Sequence, residues 1–261
     1  DVIAARNLAR MIATGSSAHS DHARDVATAM FHATTDEGTD YQVKDPAKLA
    51  SLAAEWGIDT KGLSVKEIGH EVAKVALSQF GQQFGELKFT SRAPEAQKAR
   101  WREAGVMPKG IDREVVTLLH STHVGGDSDA RSLILSGIRA ALGDGWGGSM
   151  IATELQDILF QTPGWLKSRS NLGVIDPNKV NIVVHGHEPI LSEMLVAASH
   201  DPKLIELAKS KGADGIQLSG ICCTANEILM RHGIPVAGNF LQQELAIATG
   251  AVDSMIVDIQ C

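Results

Sequence analysis

The feature that most constrains the fold is a regular alternation of short apolar runs with helical segments in the last third of the chain. Residues 180–184 are almost all apolar, as expected of a parallel strand that is buried on both faces. Three more strand-like runs follow, separated by helical stretches, at 215–219, 234–237 and 255–259. This rhythm predicts a Rossmann-like parallel α/β domain. The chain stops at the end of the last run, so we expect the domain to be incomplete.

The region before this alternation has a different pattern and is predicted to be mainly helical. Apolar residues recur at helical spacing within 3–12 and within 18–33. Ser64 followed by Glu67 is the pattern of a capping box at the start of a helix. We therefore predict an α/β protein with two domains, a helical region at 1–170 and a Rossmann-like domain at 171–261.

Composition narrows the class of protein. A net charge of −7 argues against a nucleic-acid or membrane-surface binder. No apolar run approaches the roughly 18 residues that span a bilayer, and no signal peptide is visible. The three cysteines do not form a disulfide framework, which favours a reducing cytoplasm. The chain begins directly in a helical pattern and ends without a polar tail, so we expect a fragment of a longer protein.

Metal-binding residue types follow three of the four predicted strands. His185 and His187 come after the first strand, Cys222 and Cys223 after the second, and Cys261 after the fourth. The carboxyl ends of parallel strands share one edge of the sheet, where ligands bind. Thiolate and imidazole suit iron–sulfur, zinc or nickel centres. The alternative is that the cysteines are small core residues and the histidines bond backbone. No CxxC or HExxH pattern names the metal.

Two histidines on the first predicted helix are candidates for proton transfer. His19 and His22 are three residues apart, so they share one helix face. A histidine pair can relay protons because its pKa lies near neutral. The alternative is that both are solvated or bonded within the core. His120 and His123 have the same spacing, and we interpret them as ordinary structural residues.

One acid lies in a glycine-dense segment, Gly143–Gly148, which is predicted to break the helical pattern. Asp144 there can act as a general acid or base, or it can simply cap a turn between helices. The segment is not a dinucleotide-binding fingerprint, because it lacks the preceding strand and the GxGxxG spacing.

Several of these segments together resemble one known family. The chain is similar to the anaerobic, nickel-containing carbon monoxide dehydrogenases, and more closely to those that work beside an acetyl-CoA synthase. The matching segments run in order along the whole chain: AHSDHARD at 18–25, ALGDGWGGS at 141–149, TELQDIL at 153–159, VVHGHEP at 183–189, GICCTANE at 220–227 and VDIQC at 257–261.

The resemblance implies an oxidoreductase that interconverts CO and water with CO2, two protons and two electrons. It implies a nickel–iron–sulfur cluster of the Ni-4Fe-4S type at the active centre. Further 4Fe-4S clusters are expected in parts of the protein outside this chain. The implied partners are a second subunit in a homodimer, an electron carrier such as ferredoxin and, for this subtype, an acetyl-CoA synthase subunit.

The resemblance also assigns metal ligands. His187 matches the histidine that binds iron, while Cys223 and Cys261 match two of the thiolate ligands. Cys222 is then a neighbour of the cluster. His185 is the alternative histidine ligand if the register is shifted.

The acid–base residues are assigned in the same way. His19 matches the histidine that bonds the substrate oxygen, His22 the next proton carrier, and Asp144 the acid of the same step. The chain departs from some members at Asp25 and Thr28, where a ladder of histidines continues. The family's amino-terminal cysteines, its other cysteine ligands and its catalytic lysine are absent from this sequence, so we expect this chain alone to be inactive.

Three other functions compete with this interpretation. A hybrid-cluster protein of the hydroxylamine-reductase type shares the fold class, but it is not expected to combine the His-Gly-His, Cys-Cys and paired-histidine motifs. A non-catalytic domain would use its cysteines for core packing. A structural zinc site needs a fourth ligand, and no cysteine at the usual spacing supplies one.

Overall fold

The chain divides into two compact units with different architectures. A computed structural model describes residues 1–35, 41–187 and 189–258. The first unit, Asp1–Leu159, is helical, and the second, Phe160–Cys261, contains a parallel sheet with helices. The predicted α/β class, with a helical region before a Rossmann-like sheet, is therefore confirmed. The division into domains at residue 170 stays a prediction.

The first unit is built from long and short helices. None of the helices that the described residues form is long and apolar enough to cross a membrane. A 3-10 turn at Lys88–Arg92 and a π-helical segment at Asp144–Ser149 complete the unit. The α-helices are α1 Val2–Ala33, α2 Pro46–Glu55, α3 Val65–Ser78, α4 Glu95–Glu103, α5 Ile111–Ser121, α6 Ala130–Gly143 and α7 Met150–Phe160.

Helix α1 is the central element of this unit. Its buried stripe consists mostly of small residues, which let neighbouring helices approach closely. The helix packs against α3, α5 and α6 along this stripe. The buried members are Ala5, Ala9, Ala13, Ser16, Ser20, Ala23, Val26, Ala27 and Met30.

Local capping signals set the helix starts as the sequence predicts. The Ser64 hydroxyl accepts the backbone N–H of Glu67, and the Glu67 carboxylate accepts the N–H of Ser64, so the predicted capping box is confirmed. Asp45 caps α2 by accepting the N–H of Lys48. Each such cap is worth about 1 kcal/mol.

The glycine-rich segment does not break the helical pattern, so that expectation was wrong. Asp144–Ser149 continues from α6 as a π-helical turn and leads directly into α7. A π-bulge adds one residue to a turn and often occurs at functional sites. Its effect here is to place Asp144 on the side of the helix that faces α1.

The second unit is organised around one sheet. Its four described strands are all parallel, in the order β3-β2-β1-β4. The strands are β1 Val180–His185, β2 Ile216–Ile221, β3 Val236–Gly238 and β4 Ser254–Val257. The accompanying helices are α8 Pro189–Ser199, α9 Pro202–Ser210, α10 Cys222–His232 and α11 Gln243–Ala248.

The central strands β1 and β2 are buried on both faces, which explains the largely apolar run of β1. Successive residues of β1 point to opposite faces. Val183 joins a buried cluster with Val174, Ile175, Ile221, Ala237 and Ala246. Val184 joins a second buried cluster with Val196, Leu218 and Ile228.

Candidate metal centre

The strand order brings the predicted ligand segments to neighbouring positions at one edge of the sheet. Strand β1 lies between β2 and β4, and these strands end at His185, Ile221 and Val257. The segments that follow them carry His187, Cys223 and, beyond the described residues, Cys261. The parallel direction of the strands sets this edge, because the carboxyl ends of parallel strands all lie on the same side of the sheet.

His187 is held by an acid that follows β4. Its backbone N–H donates to Asp258 Oδ2 at 2.5 Å, and its ring Nδ1 lies 3.6 Å from Asp258 Oδ1. The backbone N–H of Asp258 in turn donates to the carbonyl of His185 at 3.1 Å. Asp258 therefore fixes both the backbone and the ring of His187.

Gly186 makes this contact possible. Its φ is +136°, and a Cβ at this position would lie 1.8 Å from Asp258 Oδ1. Any side chain here would collide with the carboxylate as well as adopt a strained backbone. The glycine between the two histidines therefore lets an acid approach the turn.

The ring of His187 also contacts the thiol of Cys223. Asp258 and then Cys223 are the main partners that raise the pKa of His187 to about 10. Its side chain is mostly buried, whereas Cys223 is exposed. One imidazole and one thiol are therefore adjacent, with a carboxylate beside Nδ1 of the ring.

His185 belongs to a different pair. Its Nε2 lies 3.2 Å from Cys222 Sγ, and the residue is only 1% exposed. Burial lowers the pKa of His185 and favours a neutral ring. Cys222 itself has a φ of +66°, which is rare for a residue with a side chain. The two histidines and the two cysteines thus form two separate pairs.

The third predicted ligand, Cys261, lies outside the described residues. Within the parts of the chain that the structure describes, no group of three or more His, Cys, Asp or Glu side chains is arranged to hold a metal ion. A complete ligand set therefore requires donors beyond His187 and Cys223.

The predicted acid–base residues meet in the helical unit. His19 on α1 and Asp144 on the π-segment are 125 residues apart in sequence. The His19 Nδ1 lies 3.1 Å from Asp144 Oδ1 and 3.0 Å from Oδ2. The Ser149 hydroxyl donates to Asp144 Oδ1 at 3.1 Å. Both side chains are partly accessible, at 33% for His19 and 18% for Asp144.

Two glycines of the π-segment pack against different parts of the unit. A Cβ at Gly148 would lie 3.5 Å from the carbonyl oxygen of His19. A Cβ at Gly147 would lie 2.7 Å from Ile111 and 2.9 Å from Leu87. Gly147 therefore lets the π-segment pack closely against α5 and the residue before the 3-10 turn, whereas Gly148 lies at ordinary contact distance from α1.

His22 lies one turn further along α1, on the face that also carries His19. On the same helix, the Ser20 hydroxyl donates to Asp112 Oδ1, and Arg24 Nη1 donates to Asp112 Oδ2 at 2.8 Å. This link to α5 was not predicted from the sequence. It anchors α1 beside the two histidines.

Asp258 is the main residue that sequence reasoning missed. The pattern at 255–259 predicts it in the interior of a strand, but β4 ends at Val257. The sequence carries no local signal for its role, because the residue it contacts lies 71 positions earlier in the chain.

Comparisons with known proteins give one consistent result. The family model described as Prismane/CO dehydrogenase matches residues 1–261. A protein named carbon monoxide dehydrogenase 1 from Methanosarcina mazei is 58% identical over all of this chain and 42% of its own length. The carbon monoxide dehydrogenase/acetyl-CoA synthase subunit beta of Moorella thermoacetica is 45% identical, over 99% of this chain and 38% of its own length.

Solved structures agree with these relatives. A nickel-free carbon monoxide dehydrogenase from Thermococcus sp. AM4 matches with a TM-score of 0.94 and 50% identity, over 100% of this chain and 42% of its own. An acetyl-CoA synthase/carbon monoxide dehydrogenase with nickel-containing clusters in its alpha subunits matches with a TM-score of 0.92 and 44% identity. This match covers 100% of this chain and 39% of that one.

The matches cover this chain almost completely but only part of each relative. The chain spans about two fifths of the length of the curated relatives it matches. The family model matches every residue of the chain, and the identities are high enough to exclude a likeness of fold alone. This chain is a member of the Prismane/CO dehydrogenase family.

Proposed function

We propose that this chain is part of a carbon monoxide dehydrogenase, which interconverts CO and water with CO2, two protons and two electrons. The observation that carries the proposal is the contact between the turn after β1 and the start of α10. There His187 and Cys223 lie in contact, and Asp258 fixes the histidine from its Nδ1 side. A carboxylate on one ring nitrogen is the usual partner of a histidine that binds metal through the other.

The donor set fits one edge of a nickel–iron–sulfur cluster. Thiolate and imidazole are the ligands such centres take, and His187 and Cys223 supply one of each. Cys261 and residues elsewhere in the longer protein would supply the remaining thiolates. When bound, the cluster supplies Lewis acidity and takes up two electrons.

The role of Asp258 in this proposal is orientation. Its carboxylate holds Nδ1 of His187, so Nε2 is the nitrogen that binds the metal. Metal binding requires an unprotonated Nε2 on His187 and the thiolate form of Cys223, so binding of the cluster releases protons. His185 is a poorer ligand because its Nε2 faces Cys222.

The role of His19 is proton transfer and charge stabilisation. Asp144 accepts Nδ1–H, which fixes the tautomer and leaves Nε2 for the substrate oxygen. At Nε2 the ring can donate a hydrogen bond to oxygen that gains negative charge, or take up a proton from it. His22, one turn along α1, is the next proton carrier.

The remaining parts of the reaction lie outside this chain. Electrons leave through further 4Fe-4S clusters to a carrier such as ferredoxin, in a cytoplasmic homodimer. The likeness to proteins named with acetyl-CoA synthase supports a synthase subunit as a further partner.

The decisive experiment is metal analysis with an activity assay on the anaerobically purified full-length protein. We expect nickel and iron, together with CO-dependent reduction of a viologen dye. The chain of 261 residues, prepared in the same way, is the matched comparison. It should lack both the complete cluster and the activity.

Other outcomes would point to other functions. Iron without nickel, and hydroxylamine reduction without CO oxidation, would favour the hybrid-cluster type of the same family. No metal in the full-length protein would mean that the cysteines are core residues and that the proposal is wrong.

A further inference from the structure

A cavity in the helical unit, lined by none of the candidate site residues, concentrates positive charge. Its volume is about 340 Å³, which falls in the range of small-molecule sites. We propose that this cavity binds a small dianion, such as a phosphoryl or dicarboxylate group. Its lining residues are Gly85, Glu86, Arg102, Gly105, Met107, Lys109, Arg113 and Arg139.

Two of the arginines are fixed by one buried acid. Arg113 Nη1 lies 2.8 Å from Glu114 Oε1, and Arg139 Nε lies 2.5 Å from Glu114 Oε2. The Glu114 side chain is completely buried, whereas the arginines are about one quarter exposed. One carboxylate therefore neutralises only one of two guanidinium groups, and it holds both of them in place.

The other wall adds further positive charge. Arg102 makes a two-point ion pair with Glu86, with Nε at 2.7 Å and Nη2 at 2.9 Å. The backbone N–H of Lys109 donates to Glu114 Oε1 at 3.0 Å, which fixes this lysine at the rim. Four cationic side chains against the carboxylates of Glu86 and Glu114 leave a formal excess of two positive charges.

This local excess of positive charge is opposite in sign to the net charge of the whole chain, which is −7. Glu95 also lies 3.7 Å from Arg102, but it is paired with Lys98, so the two together add no net charge. Gly85 and Gly105 also line the cavity, with φ of +87° and +69°.

Arginines that are already held in position lose little side-chain entropy when they bind an anion. The guanidinium N–H groups of Arg113 and Arg139 that Glu114 does not bind can donate to phosphate or carboxylate oxygens. A ligand with two negative charges would complete the charge balance.

Calorimetric titration of the full-length protein at low ionic strength tests this inference. The probes are pyrophosphate and succinate, which separate phosphoryl from dicarboxylate recognition. We expect one saturable site per chain for at least one probe. Arg113→Gln should weaken its affinity about tenfold or more, and Lys109→Gln about threefold. Thermal unfolding of each variant shows whether it still folds.

Lys61→Gln is the matched control, because it removes an exposed lysine from a turn elsewhere in the same unit. It should leave the affinity unchanged. Absence of saturable binding to either probe would overturn the inference. So would binding that the Lys61 variant weakens as much as the Lys109 variant does. Because Lys109 is exposed, its variant keeps the test valid if the Arg113 variant does not fold.

Discussion

The helical unit and the α/β unit position their candidate functional residues in different ways. His19 and Asp144 lie on continuous helical backbone, and they meet because α1 and the π-segment pack closely. His187 and Cys223 lie at strand ends, next to Gly186 with φ of +136° and Cys222 with φ of +66°. The first pair therefore follows from helix packing, and the second depends on an unusual local backbone.

The two sites therefore differ in what holds their side chains in position. The contact of His19 with Asp144 lies within the described residues of one unit. The strand-end site contains a residue with a side chain at positive φ, which costs of order 1–2 kcal/mol. A metal at this site would need at least one donor beyond the described residues, since these contain no group of three or more possible ligands. Backbone strain of this kind is typical of a binding site whose geometry is completed only when its ligand is bound.

Loss of the proposed metal ligand tests the strand-end site most severely. In the complete protein, His187→Ala should abolish nickel and reduce CO oxidation by more than about 100-fold, since outer partners alone cost roughly 10–100-fold. The matched control His200→Ala changes an exposed histidine of the same unit. Retained nickel in the His187 variant would refute the ligand assignment.

The next largest effect tests the helical site. Asp144→Asn removes the carboxylate at His19 Nδ1 and should lower kcat about 100-fold, as expected for a general acid–base group. Nickel content should stay unchanged, because the proposed metal ligands lie in the other unit. Asp129→Asn is the control, since asparagine caps a helix as well as aspartate does. Loss of nickel in the Asp144 variant would show that the two sites are not separable in this way.

Gly186→Ala tests whether the strand-end backbone is required. The new Cβ would displace the Asp258 carboxylate and strain the turn, so we expect a loss of about 2 kcal/mol and a lower Tm. Gly212 also has a positive φ, of +93°, but nothing lies within 4 Å of its Cβ position, so Gly212→Ala is the control. It should cost only the backbone strain. Equal decreases in Tm for both variants would show that the Asp258 contact has no structural importance.

The smallest effect concerns charge along α1. Burial and the neighbouring Asp21 raise the pKa of Asp25 above its ordinary value of 3.8. Folding therefore favours the protonated acid, and that stabilisation is lost as pH rises through the folded-state pKa. Asp25→Asn should raise stability at pH 7 by under about 0.5 kcal/mol, since solvent screens this largely exposed group.

The pH dependence of this gain distinguishes it from other causes. As pH falls well below 3.8, the Asp25 carboxyl of the parent protein becomes neutral in both the folded and the unfolded state, like the amide that replaces it. The difference in Tm between the Asp25→Asn variant and the parent protein should therefore shrink to zero. A gain in Tm that stays constant over the whole acidic range would have to come from packing of the new side chain.

Most of the architecture was predictable because it depends on local patterns. The period of the apolar residues distinguishes strand from helix, and the Ser64–Glu67 box marks a helix start within a single turn of sequence. The parallel strand ends then define one edge of a sheet. The π-segment was not predictable, because one extra residue in a single glycine-rich turn leaves no repeating signal.

By itself the sequence determined the two kinds of unit, the family and the edge of the sheet where His187 and Cys223 occur. Only the tertiary structure decided that Asp258 holds His187 from 71 residues away, and that Asp144 meets His19 across 125 residues. It also separated the pair of His187 and Cys223 from the pair of His185 and Cys222. Local periodicity encodes secondary structure, but contacts between distant residues arise from packing, which sums interactions over the whole fold.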